Sequence, residues 1–219
     1  MGVRKIPKNH RSVTGLVASS KNGGMSAFES TLERDLMIRL EFDLTIERFE
    51  EQPLIIKYYG ADGLLRTYVP DILVRYRKDL ERVRDLSPLL CEVKYRADLF
   101  ANWKELKPKF KAARAYVKEV GWRFAIFTEY EIRTAYLNNA KFLLGYRNIN
   151  VNYHQVRLLI DTLKELRVAT PDELLLACFK DKWNRAELMP TLWYLLSTGQ
   201  VGTDLHLPLT MNSEMWTLE

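Results

Sequence analysis

The chain has little from which to build a thiol or imidazole centre: of 219 residues only two are cysteine and three histidine. Cys91 and Cys178 lie far apart in apolar surroundings and match no disulfide framework and no zinc spacing, so both read as reduced core residues. His10, His154 and His206 are scattered, and there is neither a glycine-rich phosphate loop nor a serine elbow. Long apolar runs are also missing. No stretch of about 18 apolar residues suggests a membrane span, and Arg4 and Lys5 are not followed by the apolar segment of a signal peptide. The expectation is a soluble, cytoplasmic protein without a membrane partner. Internal repeats and low-complexity tracts are absent as well.

What is present is an ordinary globular composition, 47% hydrophobic, enough for one generous domain or two small ones. The formal charge is +5, which permits a polyanionic partner without requiring one. Position says more than the sum. Arg4, Lys5, Lys8, His10, Arg11 and Lys21 crowd the first stretch, and Lys104, Lys107, Lys109, Lys111, Arg114 and Lys118 crowd another with almost no acid between them. On charge alone these are equally well a solvated arm and a solvated helix face.

Periodicity gives a coarse order. Residues 1–25 show no sustained period and read as a basic arm. Ser26 with Glu29 looks like a capping box, and Phe28, Leu32, Leu36, Met37 and Leu40 then recur at helical spacing to about Glu41, with Glu33 inside the apolar arc. Strands are expected over 54–59, 65–69, 72–76 and 89–95, with a turn at Asp62-Gly63 and a polar connector over 77–87. A basic helix over 103–120 ends at Gly121, burying Phe110, Ala113, Tyr116 or Val117, and Val120. Residues 124–128 are apolar enough to suggest a central strand, and 131–146 a further helix. That is an α/β order. Past a composition change near 148–152, helices are expected over 153–166, 171–179 and 186–197. The second is marked by the Thr170/Glu173 capping box and the third by Asn184/Glu187; two extended pieces, 201–207 and 211–218, follow. Three helices and a terminal β-ribbon match a winged-helix plan.

The chemistry-bearing pattern is Pro70-Asp71 on one strand and Glu92-Val93-Lys94 on the next, with Glu33 on the preceding helix. Glu92 and Lys94 are two apart, so both project from one sheet face, Cα atoms roughly 6.5 Å apart, while Val93 turns into the core with Cys91 and Leu89. Asp71 joins them if its strand pairs alongside. Hydrolysis of a phosphodiester needs an activated water, charge neutralisation at the phosphate and help for the leaving oxygen. Asp71 and Glu92 would share Mg2+ (Mn2+ could substitute), with the Val93 backbone carbonyl as an added oxygen ligand and Glu33 completing that site or making a second. Lys94 would orient the water or meet the phosphoryl oxygens. Taken singly, Glu92 and Lys94 are an ordinary ladder pair, Asp71 a turn residue after proline and Glu33 a surface acid. Their order along the chain (helix, strand, strand, basic helix) favours a restriction-endonuclease-like core with a mixed central sheet, over 26–150, followed by a winged-helix-like domain over 151–219.

Beyond this pattern, Arg11-Ser12-Val13-Thr14-Gly15, Phe28 to Asp35, Phe49-Glu50-Glu51-Gln52-Pro53, Tyr68-Val69-Pro70-Asp71, Glu92 to Arg96 and Phe127 to Ile132 resemble the TnsA family of endonuclease subunits. The resemblance runs over most of the first 150 residues and implies catalytic roles for Glu33, Asp71 and Lys94. Some members carry glutamine two before the lysine, where this chain has Glu92, and the extra carboxylate should strengthen metal binding. It also implies a subunit that nicks the 5′, non-transferred strand of double-stranded DNA at transposon ends. Its partners would be a TnsB-type transposase and a TnsC-type ATPase regulator, in elements that include CRISPR-associated transposons. With such a core, Lys104, Lys107, Lys109, Lys111, Arg114, Arg96 and Arg11 are the expected phosphate contacts. Two other readings stay open: a restriction or junction-resolving nuclease whose tail reads sequence directly, and a non-catalytic binding scaffold.

Overall fold

Two short strands, β1 (Gly15–Ser19) and β2 (Gly24–Phe28), pair antiparallel at the start of the computed structural model, which describes residues 14–60 and 62–218. Residues 15–25 are therefore a hairpin rather than part of an arm. Gly23, at φ 71°, supplies the left-handed turn residue. Arg4, Lys5, Lys8, His10 and Arg11 lie outside the described residues. The chain divides into two compact units, Met1–Ile132 and Arg133–Glu219.

In the first unit, helix α1 (Thr31–Phe42) begins one turn later than the sequence suggested. Ser30 is the N-cap, its hydroxyl accepting from Glu33 N–H at 3.1 Å, while Ser26 belongs to β2. Both serines precede a glutamate by three residues, so local spacing alone does not choose between them. Strand β3 (Ile46–Glu51) leads into the hairpin β4 (Ile56–Tyr59) and β5 (Leu65–Tyr68), turned at Gly63 with φ 75°. Then come β6 (Ile72–Tyr76) and β7 (Leu89–Val93), joined by a connector that holds one 3-10 turn, Glu81–Val83. Helices α2 (Arg96–Ala101) and α3 (Trp103–Glu119), strand β8 (Arg123–Phe127) and the short α4 (Glu129–Ile132) complete the unit.

The central sheet is mixed, in the order β3-β6-β7-β8, with β7 and β8 parallel and the other pairs antiparallel. The alternation of strand side chains splits the core between its faces. Phe49, Ile72, Val74, Cys91 and Val93 pack with Leu32, Leu36, Met37 and Leu40 of α1 and with Ile132. Leu73 and Leu90 face the other way, toward Ile56, Tyr68, Ala113 and Val117. Each such aliphatic side chain taken out of water contributes about 1.5–3 kcal/mol, which fixes both α1 and α3 against the sheet.

Strand β8 is not central: it pairs only with β7, at the edge, and is half-buried. Its apolar content is met by α3, where Phe110 stacks at 6.0 Å on Phe124. In α3 the buried residues are Leu106, Phe110, Ala113 and Val117; Val120 is exposed. The helix expected over 131–146 is two helices that fall into different units, α4 and α5 (Ala135–Leu144).

In the second unit α5 packs on the later helix α8 (Lys182–Ser197), so a boundary near 150 would separate α5 from the helix it rests on. Helix α6 (Tyr153–Leu166) is capped by Asn152, and strand β9 (Val168–Ala169) follows. Helix α7 (Pro171–Cys178) starts with the expected Thr170/Glu173 capping box. Helix α8 (Lys182–Ser197) is capped by Asp181 rather than Asn184, starting earlier than expected. Strands β10 (Val201–Thr203) and β11 (Met215–Thr217) join β9 in an antiparallel sheet of order β10-β11-β9. The buried amide of Asn139 holds the segment between β10 and β11, donating to Leu205 O and Leu207 O and accepting from Leu209 N–H. Among the described residues no helix is long and apolar enough to cross a membrane.

Candidate active site

Asp71 precedes β6 yet is held in the ladder. Its N–H donates to Cys91 O at 3.1 Å, and its carbonyl accepts from Gln52 N–H at 2.8 Å. Because Ile72 pairs with Cys91 in an antiparallel register, Asp71 stands opposite Glu92, and cross-strand partners project from the same face. Lys94, two residues beyond Glu92, projects there too. The sequence-derived trio therefore meets at one end of the β6-β7 pair.

The three heads are in contact. Lys94 Nζ lies 3.0 Å from Glu92 Oε1 and 3.5 Å from Asp71 Oδ2, and donates to the Val93 carbonyl at 3.0 Å. The three oxygens assigned to a metal in the sequence analysis thus already surround one positive charge. The Asp71 Oδ2 atom also accepts from Val93 N–H at 2.6 Å, which ties the carboxylate to the strand that carries Glu92 and Lys94. The Glu92 side chain is 4% exposed, against 18% for Asp71 and 32% for Lys94. A carboxylate that deep requires a partner cation or donors for both oxygens. Lys94 serves one oxygen, and the hydroxyl of Tyr68 donates to the other.

Glu33 reaches the same neighbourhood from α1 but is turned differently. Its carboxylate accepts from Glu29 N–H and from the Ser30 hydroxyl, both at 2.9 Å, so it braces the helix start. Burial, and next the Asp71 charge, push Glu33 up to about 7, against the hydrogen bonds from Glu29 and Ser30 and the charge of Lys94. Burial likewise pushes Asp71 up to about 7; Glu92 adds to the rise, and Lys94 and the Val93 N–H oppose it. For Lys94 burial acts downward, but the Asp71 and Glu92 carboxylates outweigh it and hold the ammonium well above its ordinary value. The cluster is thus two neighbouring acids that resist ionising beside a lysine that stays charged.

Two carboxylate oxygens and a backbone carbonyl around one charge are the hard donors that a divalent ion such as Mg2+ takes, so this residue set fits one. Among the described residues no three of Asp, Glu, His and Cys form a ready-made cluster; Glu33 is engaged at its own helix start.

The predicted phosphate contacts are not all alike. Lys104, Lys107, Lys111, Arg114 and Lys118 recur at three- and four-residue spacing along α3 and are exposed, forming one basic face. Lys109 lies off that face and is half-buried. Arg96, two residues past Lys94, is exposed, and its guanidinium sits 5.6 Å from the Phe100 ring and 5.0 Å from the Tyr130 ring. Arg11 falls outside the described residues.

Sequence reasoning gave no role to Tyr68. Its hydroxyl meets Glu92 across 24 positions, a separation no local pattern carries; the only sequence sign is a tyrosine closing a strand three residues before Asp71.

Residues 43–129 match a family model described as TnsA-like endonuclease N terminal. That segment holds Asp71, Glu92, Lys94 and the whole of α3, while Glu33 precedes it. A comparison with curated proteins finds no match.

Proposed function

We propose that this chain is the metal-dependent DNA-cleaving subunit of a Tn7-type transposase, a reading supported by the match of residues 43–129 to the TnsA-like endonuclease N-terminal family model. The observation that carries the proposal is the convergence of Asp71 Oδ2, Glu92 Oε1 and the Val93 carbonyl on a single cation, Lys94 Nζ, inside the matched segment. Those three oxygens would hold Mg2+ or Mn2+, with Glu33 rotating in to complete the set. Once bound, the ion would supply positive charge against the phosphate and help activate water.

The protein's own groups take the remaining tasks. Asp71, fixed by Val93 N–H, and Glu92, fixed by Tyr68, present preset oxygens, so little reorganisation is left for the reaction. Lys94, displaced from its oxygens, keeps its charge and reaches a phosphoryl oxygen or the attacking water. The basic face of α3 and Arg96 hold the backbone of double-stranded DNA on either side of the scissile bond. The cut is assigned to the 5′, non-transferred strand at transposon ends, with a TnsB-type transposase acting on the other strand and a TnsC-type ATPase regulator as further partner.

For the second unit we propose a winged-helix-like module: α6, α7 and α8 supply the helices and β9, β10 and β11 the ribbon. Its role would be docking to protein partners or mixed protein and DNA contact, since α8 brings Arg185 but also an exposed Trp183.

A plasmid-nicking assay with the full chain, the partner transposase and Mg2+ tests the reading. Wild type should nick, and Asp71→Ala and Lys94→Ala should each lose at least about 100-fold. Undiminished nicking by both variants would remove the site assignment.

A further inference from the structure

Gln52 holds a backbone conformation that a glutamine rarely takes, with φ 45°, one of two such non-glycine residues among those described. Strain of this kind persists where surrounding contacts impose it, and here the contacts join both acid-bearing segments. The Gln52 N–H donates to the Asp71 carbonyl at 2.8 Å. The Gln52 Nε2 donates to Glu29 Oε1 at 2.9 Å, and the Glu29 N–H donates in turn to Glu33 Oε2. A path of hydrogen bonds therefore runs from the strand end at Asp71, through Gln52, to Glu29 at the entry of the helix that carries Glu33. The other amide atom, Gln52 Oε1, is buried and has no hydrogen-bond partner, an expense that packing alone does not explain.

From the left-handed backbone, the two-ended hydrogen bonding and the orphan amide oxygen together, we propose that Gln52 is a positioning residue that sets the start of α1, and with it the backbone of Glu33, at a fixed distance from Asp71, so that the Glu33 side chain can turn in to join the other two acids. The proposal rests on the nuclease reading above and names a residue that acts through Glu33 rather than on the substrate. At the β3 exit the left-handed turn places the main-chain N–H of Gln52 on the Asp71 carbonyl while its side chain reaches Glu29. Glycine would satisfy the backbone better, but it would lack the side-chain reach to Glu29.

The test is Gln52→Gly in the full chain, measured for thermal unfolding and for metal-dependent nicking with the partner transposase. Glycine removes the side-chain link and relieves the backbone, so the expected result is an unchanged or higher Tm together with nicking reduced about tenfold or more. A merely structural glutamine would lose Tm and nicking together, and that result overturns the proposal, as does unchanged nicking. A second measurement makes the role specific: in a Glu33→Gln background, Gln52→Gly should add no further loss, whereas an equal loss in both backgrounds overturns it. Asp71→Ala is run alongside. If it nicks as well as wild type the nuclease reading itself fails and the proposal with it; if it is inactive while Gln52→Gly nicks normally, only the role of Gln52 is withdrawn.

Discussion

Lys94 Nζ lies 3.0 Å from Glu92 Oε1, on a carboxylate almost closed to solvent, and at the same time 3.0 Å from the Val93 carbonyl. The ammonium thus occupies the position that the proposed function would give to a divalent ion, and it offsets the charge of the two carboxylates. On the proposed reading, an ion bound by those oxygens would require Lys94 to move off them, and the freed ammonium would be available to a phosphoryl oxygen.

Removing the competing ammonium should separate binding from chemistry. In Lys94→Ala, Mn2+ should bind at least as tightly as in wild type, since two carboxylates lose their internal cation, while nicking falls about 100-fold or more. Isothermal titration of the two proteins decides; weaker Mn2+ binding in the variant would mean that Lys94 supports the ion rather than competing with it.

The raised acids give a signed pH dependence. Burial pushes Glu33 and Asp71 each up to about 7, above the ordinary carboxylate range, so the fold favours their neutral forms. Their contribution to stability is complete below about pH 4 and is lost as pH rises through about 7, on the order of a few kcal/mol for the pair. Thermal unfolding of the metal-free protein should show Tm falling between pH 5 and 8, and Mg2+ should restore it at pH 8, where both acids are free of protons. A metal-free Tm that climbs across that window would contradict the assignment.

Tyr68 should matter through Glu92. The Tyr68→Phe variant keeps the ring in its apolar setting and removes one donor from a buried carboxylate. Loss of an outer partner of a metal ligand costs about 10- to 100-fold in metal affinity, so half-maximal nicking should move to higher Mg2+ with little change at saturation. A loss that persists at saturating Mg2+, with the half-point unmoved, would mean that Tyr68 does not act through the ion.

On α3 the prediction discriminates between lysines. Neutralising Lys104, Lys107, Lys111 and Arg114 should weaken DNA binding and flatten its salt dependence, by about one logarithmic unit of slope for each phosphate no longer engaged. Lys109→Gln, off the basic face and half-buried, should change the slope least. Filter-binding across a salt series reads both, and equal effects at all five positions would indicate only a diffuse charge effect.

The legible part of the site is what a two-residue period can carry. Asp71, Glu92 and Lys94 are readable because strand alternation sets faces without knowledge of the fold. Glu33 falls on the correct helix, but the helix start is ambiguous by one turn, since Ser26/Glu29 and Ser30/Glu33 have the same spacing and only tertiary pairing of β2 chooses. Strand β3 is hidden because Ile46 and Phe49 are its only buried residues, three apart among charged neighbours. Helix α2 buries nothing, so it leaves no apolar stripe to detect, and β8 reads as central because apolar content does not say whether a strand or a helix covers it. Gln52 and Tyr68 act on partners more than 20 positions away, which a single sequence does not display.

A Mn2+-soaked crystal of the full chain, read by anomalous scattering, tests the shared cation position directly. The expected map has a peak coordinated by Asp71, Glu92 and the Val93 carbonyl, with the Lys94 ammonium moved off those oxygens and Glu33 turned toward the ion. A peak held by other residues, or no peak while Lys94 stays in place at saturating Mn2+, would contradict it.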